Sequence, residues 1–377
     1  MRRRKFVQTA GLAGATGLLA ACSKASAPAN CGAPGAAGEA IEWKMVTAWP
    51  RDFPGLGTGA AKLAEYIGRL SNGRLKVKVY GGNELVPPFE VFDAVERGTA
   101  EMGHAASYYW KGKVAAAQLF SAVPFGLTAQ EICGWFYYGD GLKLYREVYA
   151  PFGIIPFPVG NSAAQMGGWF NKEINSLADV QGLKMRIPGI GGEILRRAGG
   201  TPVTTPGSEI FTALQTGTID ATEWVGPYND LAFGLFRAAK YYYYPGWHET
   251  GSVLEGLVNK AAYDALPQDL QAIIEIACQA ANLDMLAEFM FYNAQAFRTL
   301  VEEHGVEVRP FPDEVMREFH KLTLEYMDEE SAKDALFAKV WASYRAYYNA
   351  VRPVSHISEQ KILDLRELLE MDQAKTA

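Results

Sequence analysis

From Gln268 to His304 the chain carries no proline and no glycine, and its apolar residues recur at helical spacing. Such a run reads as one helix, opened by Pro267 and stopped by Gly305. At about 1.5 Å per residue it reaches ~55 Å, more than the width of an ordinary lobe. A rod of that length suits a spine that braces two bodies. The chain has 377 residues, 49% of them hydrophobic, enough for two bodies each with its own core.

The sequence before the spine supplies both bodies. Ile41–Trp49, Leu75–Tyr80 and Met102–Ala106 read as strands. Helices over 59–70 and 88–96 separate them, an order that gives a parallel α/β sheet. Helix is expected over 130–149. Ile154–Gly160 is a strand interrupted by Pro156 and Pro158, which places it at an edge or at a crossing between lobes. A second α/β unit then begins, with strands at 165–170, 183–188, 202–203 and 219–221 and helices at 191–198 and 208–215. Val253–Asn259 is a strand, Lys260–Leu266 a short helix and Val306–Arg309 a late strand. Helix is expected from Pro312 to Arg352, with Trp341, Tyr344, Tyr347 and Tyr348 as an aromatic stripe. A terminal amphipathic helix follows from Glu359 to Met371, with Ile362, Leu365, Leu368 and Leu369 on one face. It arrives after both bodies are complete, which makes a second subunit a candidate to cover that face.

The first 40 residues read as an export signal and a flexible tether. Arg2–Lys5 is a charged head, Val7–Ala21 a short run rich in Gly and Ala, and Arg3-Arg4-Lys5-Phe6 resembles the twin-arginine export motif. Leu19-Ala20-Ala21-Cys22 resembles a lipobox, in which Cys22 is lipid-modified, and Ala25-Ser26-Ala27 is a competing cleavage site. Only Cys133 and Cys278 lie in the body, both in apolar helical contexts that favour free thiols. The net charge of −6 argues against nucleic acid as a partner. With five His and no Cys-x-x-Cys or His-x-x-x-His pair, a structural zinc site is not expected. Neither Gly-x-Ser-x-Gly nor His-Glu-x-x-His occurs.

Chemistry concentrates at strand ends. Asp220–Asp230 places Glu223, Trp224, Tyr228 and Asn229 around a Gly226-Pro227 turn just after a strand. Open α/β sheets bind ligands outside the carboxyl ends of their strands. Three aromatics, Tyr108, Tyr109 and Trp110, follow the third strand, and one or two of them are expected to wall a cleft, as is Phe53. Arg186 stands inside the apolar Met-Arg-Ile-Pro strand, where an unpaired charge is rarely buried.

Gly182–Gly189, the segment Leu214–Ala221, the export signal and the spine together resemble the solute-binding proteins of tripartite ATP-independent periplasmic (TRAP) transporters. The likeness covers nearly all of the chain after the tether. Glu223-Trp224-Val225-Gly226-Pro227, with Gln165 upstream and Glu249 downstream, is similar to the subgroup that binds 2-oxoacids such as pyruvate with a metal ion. A relative in that subgroup binds lactate with calcium.

The resemblance implies an α/β, two-lobe periplasmic binding protein fold with a long spine helix and a C-terminal helical extension. Lobe I would span 41–160 with part of 250–340 returning to it, lobe II 161–249, the spine 267–304 and the extension 340–377. Arg186 would clamp the substrate carboxylate through its planar fork. Gln165, Glu223, Glu249 and the backbone carbonyl of Trp224 would hold the cation, and these hard oxygen donors suit Na⁺ or Ca²⁺. Tyr108, Tyr109, Asn161, Asn229 and Trp224 are further expected substrate contacts. His248, a poor ligand for a hard cation, is expected as a hydrogen-bonding neighbour or a surface residue. The partners implied are a 2-oxoacid, the membrane subunits of the transporter and a second copy of the chain joined through the C-terminal helix. The competing reading is an envelope enzyme that uses the metal to polarise an organic acid.

Overall fold

The computed structural model describes residues 40–376. The twin-arginine-like segment, Cys22 and the tether lie outside the described residues. Among the described residues eleven strands form two sheets. The first contains β1 (Ile41–Thr47), β2 (Leu75–Tyr80), β3 (Met102–Ala105) and β4 (Ile154–Asn161). The second contains β5 (Gly168–Phe170), β6 (Lys184–Arg186), β7 (Thr201–Val203), β8 (Ala221–Thr222) and β9 (Tyr241–Tyr244). The chain then returns to the first sheet with β10 (Val253–Asn259) and to the second with β11 (Glu307–Pro310).

The first sheet runs β2-β1-β3-β10-β4. Its first three strands are parallel, whereas β10 inserts antiparallel between β3 and β4. The proline-containing β4 lies at the edge, where its missing N–H groups cost no ladder bonds. The second sheet runs β11-β9-β5-β8-β6-β7, with β7, β6 and β8 parallel and β5 antiparallel to both β8 and β9. Trp169 of β5 and Tyr242 of β9 pair directly and stack with ring centroids 4.1 Å apart.

The spine is an α-helix over Gln268–Arg298 that passes into a π-helical turn, Thr299–Glu303. Its Ile274, Ala277 and Ala281 pack with Trp43, Met45, Phe157 and Val159 of the first sheet and with Leu63 and Ile67 of helix Leu56–Leu70. Polar contacts extend its grip. Glu288 accepts from Lys62 Nζ (2.9 Å) on that first-sheet helix and from the Tyr228 hydroxyl (3.1 Å) on helix Pro227–Phe233, which follows β8. The Tyr228 backbone N–H also donates to Asn293 Oδ1 (2.9 Å).

Two expected long helices are broken. The helix over 130–149 is two, Ala129–Tyr138 and Gly141–Tyr149, because Gly139 takes an extended conformation between them. The helix over 312–352 is divided at Asp334, whose carboxylate accepts from the N–H groups of Leu336 and Phe337 and caps a new helix, Ala335–Ile357. That helix runs through Pro353, and the turn falls at Ser358 before the terminal helix Glu359–Thr376. Cys133 and Cys278 are free thiols. Among the described residues no helix is long and apolar enough to cross a membrane.

Candidate functional site

Strand ends of both sheets converge on one small, tightly closed cavity, whose wall includes Trp49, Tyr108, Tyr109, Gln165, Arg186 and Trp224. Ser162, Ser252 and Leu254 complete the side formed by the first sheet. Arg186 is the last residue of β6, and Glu223 directly follows β8. Tyr108 and Tyr109 lie in a short 3-10 turn, Ser107–Trp110, after β3, and Gln165 lies in the segment that leaves β4.

Backbone hydrogen bonds tie these segments together. Gln165 N–H donates to the Glu249 carbonyl (3.1 Å), and Met166 N–H to the Val225 carbonyl (3.0 Å). Glu223 N–H donates to the Arg186 carbonyl (3.1 Å). The sequence-distant residues 165, 186, 223 and 249 are therefore held by the main chain before any side chain acts.

The side chains add charge in a buried place. Arg186 and Glu223 are each 1% exposed and form a direct ion pair between Nη1 and Oε1. Arg186 Nε donates to the Thr205 carbonyl (3.2 Å), and the guanidinium lies 5.3 Å from the Trp224 ring. Gln165 Nε2 donates to Glu249 Oε2 (2.7 Å) and to Ser162 Oγ (3.0 Å). Ligand atoms of Glu223, His248 and Glu249 all lie within 4.8 Å of one another. Burial, and then the Glu223 charge, pushes the Glu249 carboxyl above the usual range. Burial also pushes the Tyr109 phenol up to about 12.

Several buried polar atoms here have no hydrogen-bond partner: Gln165 Oε1, Arg186 Nη2, Glu223 Oε2, Trp224 Nε1 and both ring nitrogens of His248. Orphaned groups are costly in a folded interior, so a cluster of them marks a place built to meet something else. Two unpartnered oxygens beside a second carboxylate fit a hard cation. The unpartnered Arg186 Nη2 fits an anion, but Nε and Nη1 are already engaged.

Not every expected contact faces the cavity. Asn161 is fully buried, accepts from Ala163 N–H (2.8 Å) and donates to the Gly251 carbonyl (3.4 Å), so its amide holds backbone. Asn229 donates to the Pro54 carbonyl (2.9 Å), linking the helix after β8 to the loop before helix Leu56–Leu70. Neither is in the cavity wall. Trp110 turns away and donates its indole N–H to Glu255, while Phe53 packs edge-on against Trp224. His248 is 3% exposed, which rules out the surface alternative, and its Nε2 lies 3.5 Å from Glu223 Oε2. Sequence reasoning missed Trp49, Ser162 and Ser252. Trp49 gave a signal, standing between the end of β1 and Pro50.

Residues 45–334 match the family model described as bacterial extracellular solute-binding protein, family 7 (DctP). A monocarboxylate 2-oxoacid-binding periplasmic protein of Nostoc sp. is 41% identical over 360 residues, covering 95% of this chain and 97% of that protein. A TRAP periplasmic solute-binding protein of Pseudoalteromonas atlantica, solved with sodium and pyruvate, is 41% identical. It covers 86% of this chain and 99% of its own, with a TM-score of 0.84. One from Colwellia psychrerythraea, solved with calcium and pyruvate, is 42% identical with the same coverages and a TM-score of 0.85. The two-sheet fold, the cavity at the strand ends and these likenesses agree: the chain belongs to the DctP family of extracytoplasmic solute-binding proteins that serve TRAP transporters.

Proposed function

We propose that this protein captures a small 2-oxo monocarboxylate of the pyruvate type together with Na⁺ or Ca²⁺ and delivers it, unaltered, to the membrane subunits of its transporter. The observation that carries this reading is the buried set Gln165, Glu223 and Glu249, with two unpartnered oxygens, beside the unpartnered Nη2 of Arg186. The relatives solved with pyruvate and a cation support it. Gln165 Oε1, the Glu223 and Glu249 carboxylates and the Trp224 carbonyl would hold the cation. Bound there, it supplies the positive charge that lets a carboxylate enter a cleft already lined by two others.

Arg186 receives the acid's carboxylate through Nη2, a charge-assisted bond strengthened by burial. Tyr108 and Tyr109 line the same cavity, the Tyr109 phenol beside Arg186, and Trp49 and Trp224 exclude water around the small apolar tail. The hinged bodies are assigned as 41–160 with part of 250–340, and 161–249. Export through the twin-arginine-like segment, with a lipid anchor at Cys22, belongs to the same reading, as does pairing of two copies through the terminal helix.

The test is pyruvate calorimetry on chelator-treated protein in sodium-free buffer, with Na⁺ or Ca²⁺ then restored. Linkage requires each ligand to tighten the other by one factor, here expected to be roughly tenfold or more. Propionate, which lacks the 2-oxo oxygen, should show little coupling. Pyruvate affinity that is the same with and without cation would remove the basis of the assignment. Pyruvate recovered unchanged after long incubation is expected of a carrier, and its turnover would favour the envelope enzyme.

A further inference from the structure

Two buried carboxylates outside the cation set each accept three hydrogen bonds, and one of them is fastened to the segment that carries Glu223 and Trp224. Asp230 is 1% exposed. Its Oδ1 accepts from Val225 N–H (3.2 Å), and its Oδ2 accepts from the Tyr242 hydroxyl (2.7 Å) and the Trp169 indole N–H (3.0 Å). The Asp230 N–H donates to the Gly226 carbonyl (2.9 Å), the first backbone bond of helix Pro227–Phe233, so the carboxylate sits in the first turn of the helix that follows the ligand-bearing segment. Trp169 belongs to β5 and Tyr242 to β9, so the carboxylate joins the ligand loop to two strands of the second sheet.

The identity of the acid matters here. Val225 N–H and the Trp169 indole can only donate, and they address different oxygens of Asp230. An amide at this position sets its own NH₂ against a donor in either orientation. The other carboxylate differs. Glu255 Oε1 accepts from the Trp110 indole, while Oε2 accepts from the Tyr145 (2.6 Å) and Tyr149 (2.8 Å) hydroxyls. Hydroxyls can reverse and accept, so an amide fits there.

On the other side the segment is held by the main-chain bonds Glu223 N–H to Arg186 and Met166 N–H to the Val225 carbonyl, and by the Arg186 guanidinium on Glu223. Val225 is thus pinned through both its carbonyl and its N–H, and Asp230 supplies the second pin. We propose that Asp230 is the positioning residue of the cation site, holding Val225 and thereby fixing where the Glu223 carboxylate and the Trp224 carbonyl stand. This inference rests on the cation reading above. Groups that orient metal ligands from behind typically change metal affinity by ~10–100-fold when altered.

The experiment uses Tb³⁺ as the probe, excited through tryptophan, with luminescence decay compared in H₂O and D₂O to count the waters on the bound ion. Asp230→Asn should weaken Tb³⁺ binding roughly tenfold and raise the water count by one or more, because water replaces a protein oxygen that has moved away. Tyr242→Phe keeps every charge and removes one anchor. It should shift the count in the same direction by less, and it carries the test if Asp230→Asn does not fold. Weaker binding with the wild-type water count would mean that only the charge of Asp230 matters, and the inference falls. Tb³⁺ binding by the wild type with both variants unchanged overturns the positioning role alone. A wild type that binds no Tb³⁺ overturns the cation reading and this inference with it.

Discussion

At the scale of single residues, the charged groups and Gln165 were legible and the two asparagines were not. Arg186, Glu223 and Glu249 stand at strand ends in apolar surroundings, and a buried charge demands a partner. The structure brings them together in one buried cluster. Asn161 and Asn229 stand near the same ends, but an amide satisfies backbone as readily as ligand, and here Asn161 does so fully and Asn229 through its NH₂ alone, its Oδ1 having no partner. Sequence position does not separate the two uses. The Arg186 geometry yields a prediction. Arg186→Lys keeps a cation for Glu223 but loses the planar fork that serves Glu223, Thr205 and the ligand at once. Pyruvate affinity should fall by about 2 kcal/mol, roughly thirtyfold, while the fold is retained. Arg186→Ala would be a poorer test, because an unpaired buried Glu223 destabilises the protein itself. Calorimetry gives the affinity and circular dichroism the fold. Unchanged affinity in the lysine variant would take Arg186 out of the site.

At the scale of elements, periodicity located most strands and helices but not how they end or pair. Val253–Asn259 was readable to the residue, because two β-favouring apolar pairs, Val253-Leu254 and Leu257-Val258, stand between polar turns. Its antiparallel insertion between β3 and β4 was not, since that pairing joins segments about 100–150 residues apart. Tyr241–Tyr244 went unread: four tyrosines carry no polar–apolar alternation, and what makes them a strand is stacking on Trp169 and Phe311. Another element-level device is Glu255, which anchors the turn bearing Tyr108 and Tyr109 through Trp110. Burial pushes the Glu255 carboxyl up to about 7, from an ordinary value of 4.5, against the pull of its three donors. A folded-state value above the unfolded one favours the fold at low pH. That contribution is complete below about pH 4.5 and is lost as pH rises through about 7, up to about 3 kcal/mol in all. Asp230, raised to about 7 by burial, acts with the same sign. Glu249, also raised by burial, adds to the same trend once the cation is stripped, so urea unfolding in chelator across pH 5 to 8 should show stability falling as pH rises, and Glu255→Gln should flatten roughly a third of that fall. An identical slope in the variant would show that Glu255 is ionised throughout.

At the scale of the whole molecule, the spine touches elements of both sheets and leaves a surface uncovered. Lys62 from a first-sheet helix and Tyr228 from the helix beyond Glu223 meet on Glu288, so the spine bears on the segment that holds the site. Its outer face exposes Ile276, Leu283, Met290 and Phe297, spaced seven residues apart. Helices that show such a repeat pack well against another helix. The terminal helix Glu359–Thr376 is the second uncovered element. Ile362, Leu363, Leu365, Leu368, Leu369 and Met371 are all exposed, roughly half or more in each case. Two bare apolar surfaces of this kind are not what a lone chain ordinarily presents to water. The expectation is that each copy covers its partner with this helix. Deleting residues 358–377 should then shift the mass from two copies to one in light scattering, at protein concentrations where the full chain is paired. Leu365→Glu with Leu369→Glu should do the same without shortening the chain, because charge on that face opposes its burial. Neither change reaches the cavity, so pyruvate affinity in the presence of cation should stay within about twofold, as expected for distant independent sites. Full-length mass retained by both variants would mean that the terminal helix is not what holds the copies together, and a mass of one copy for the intact chain would remove the pairing altogether.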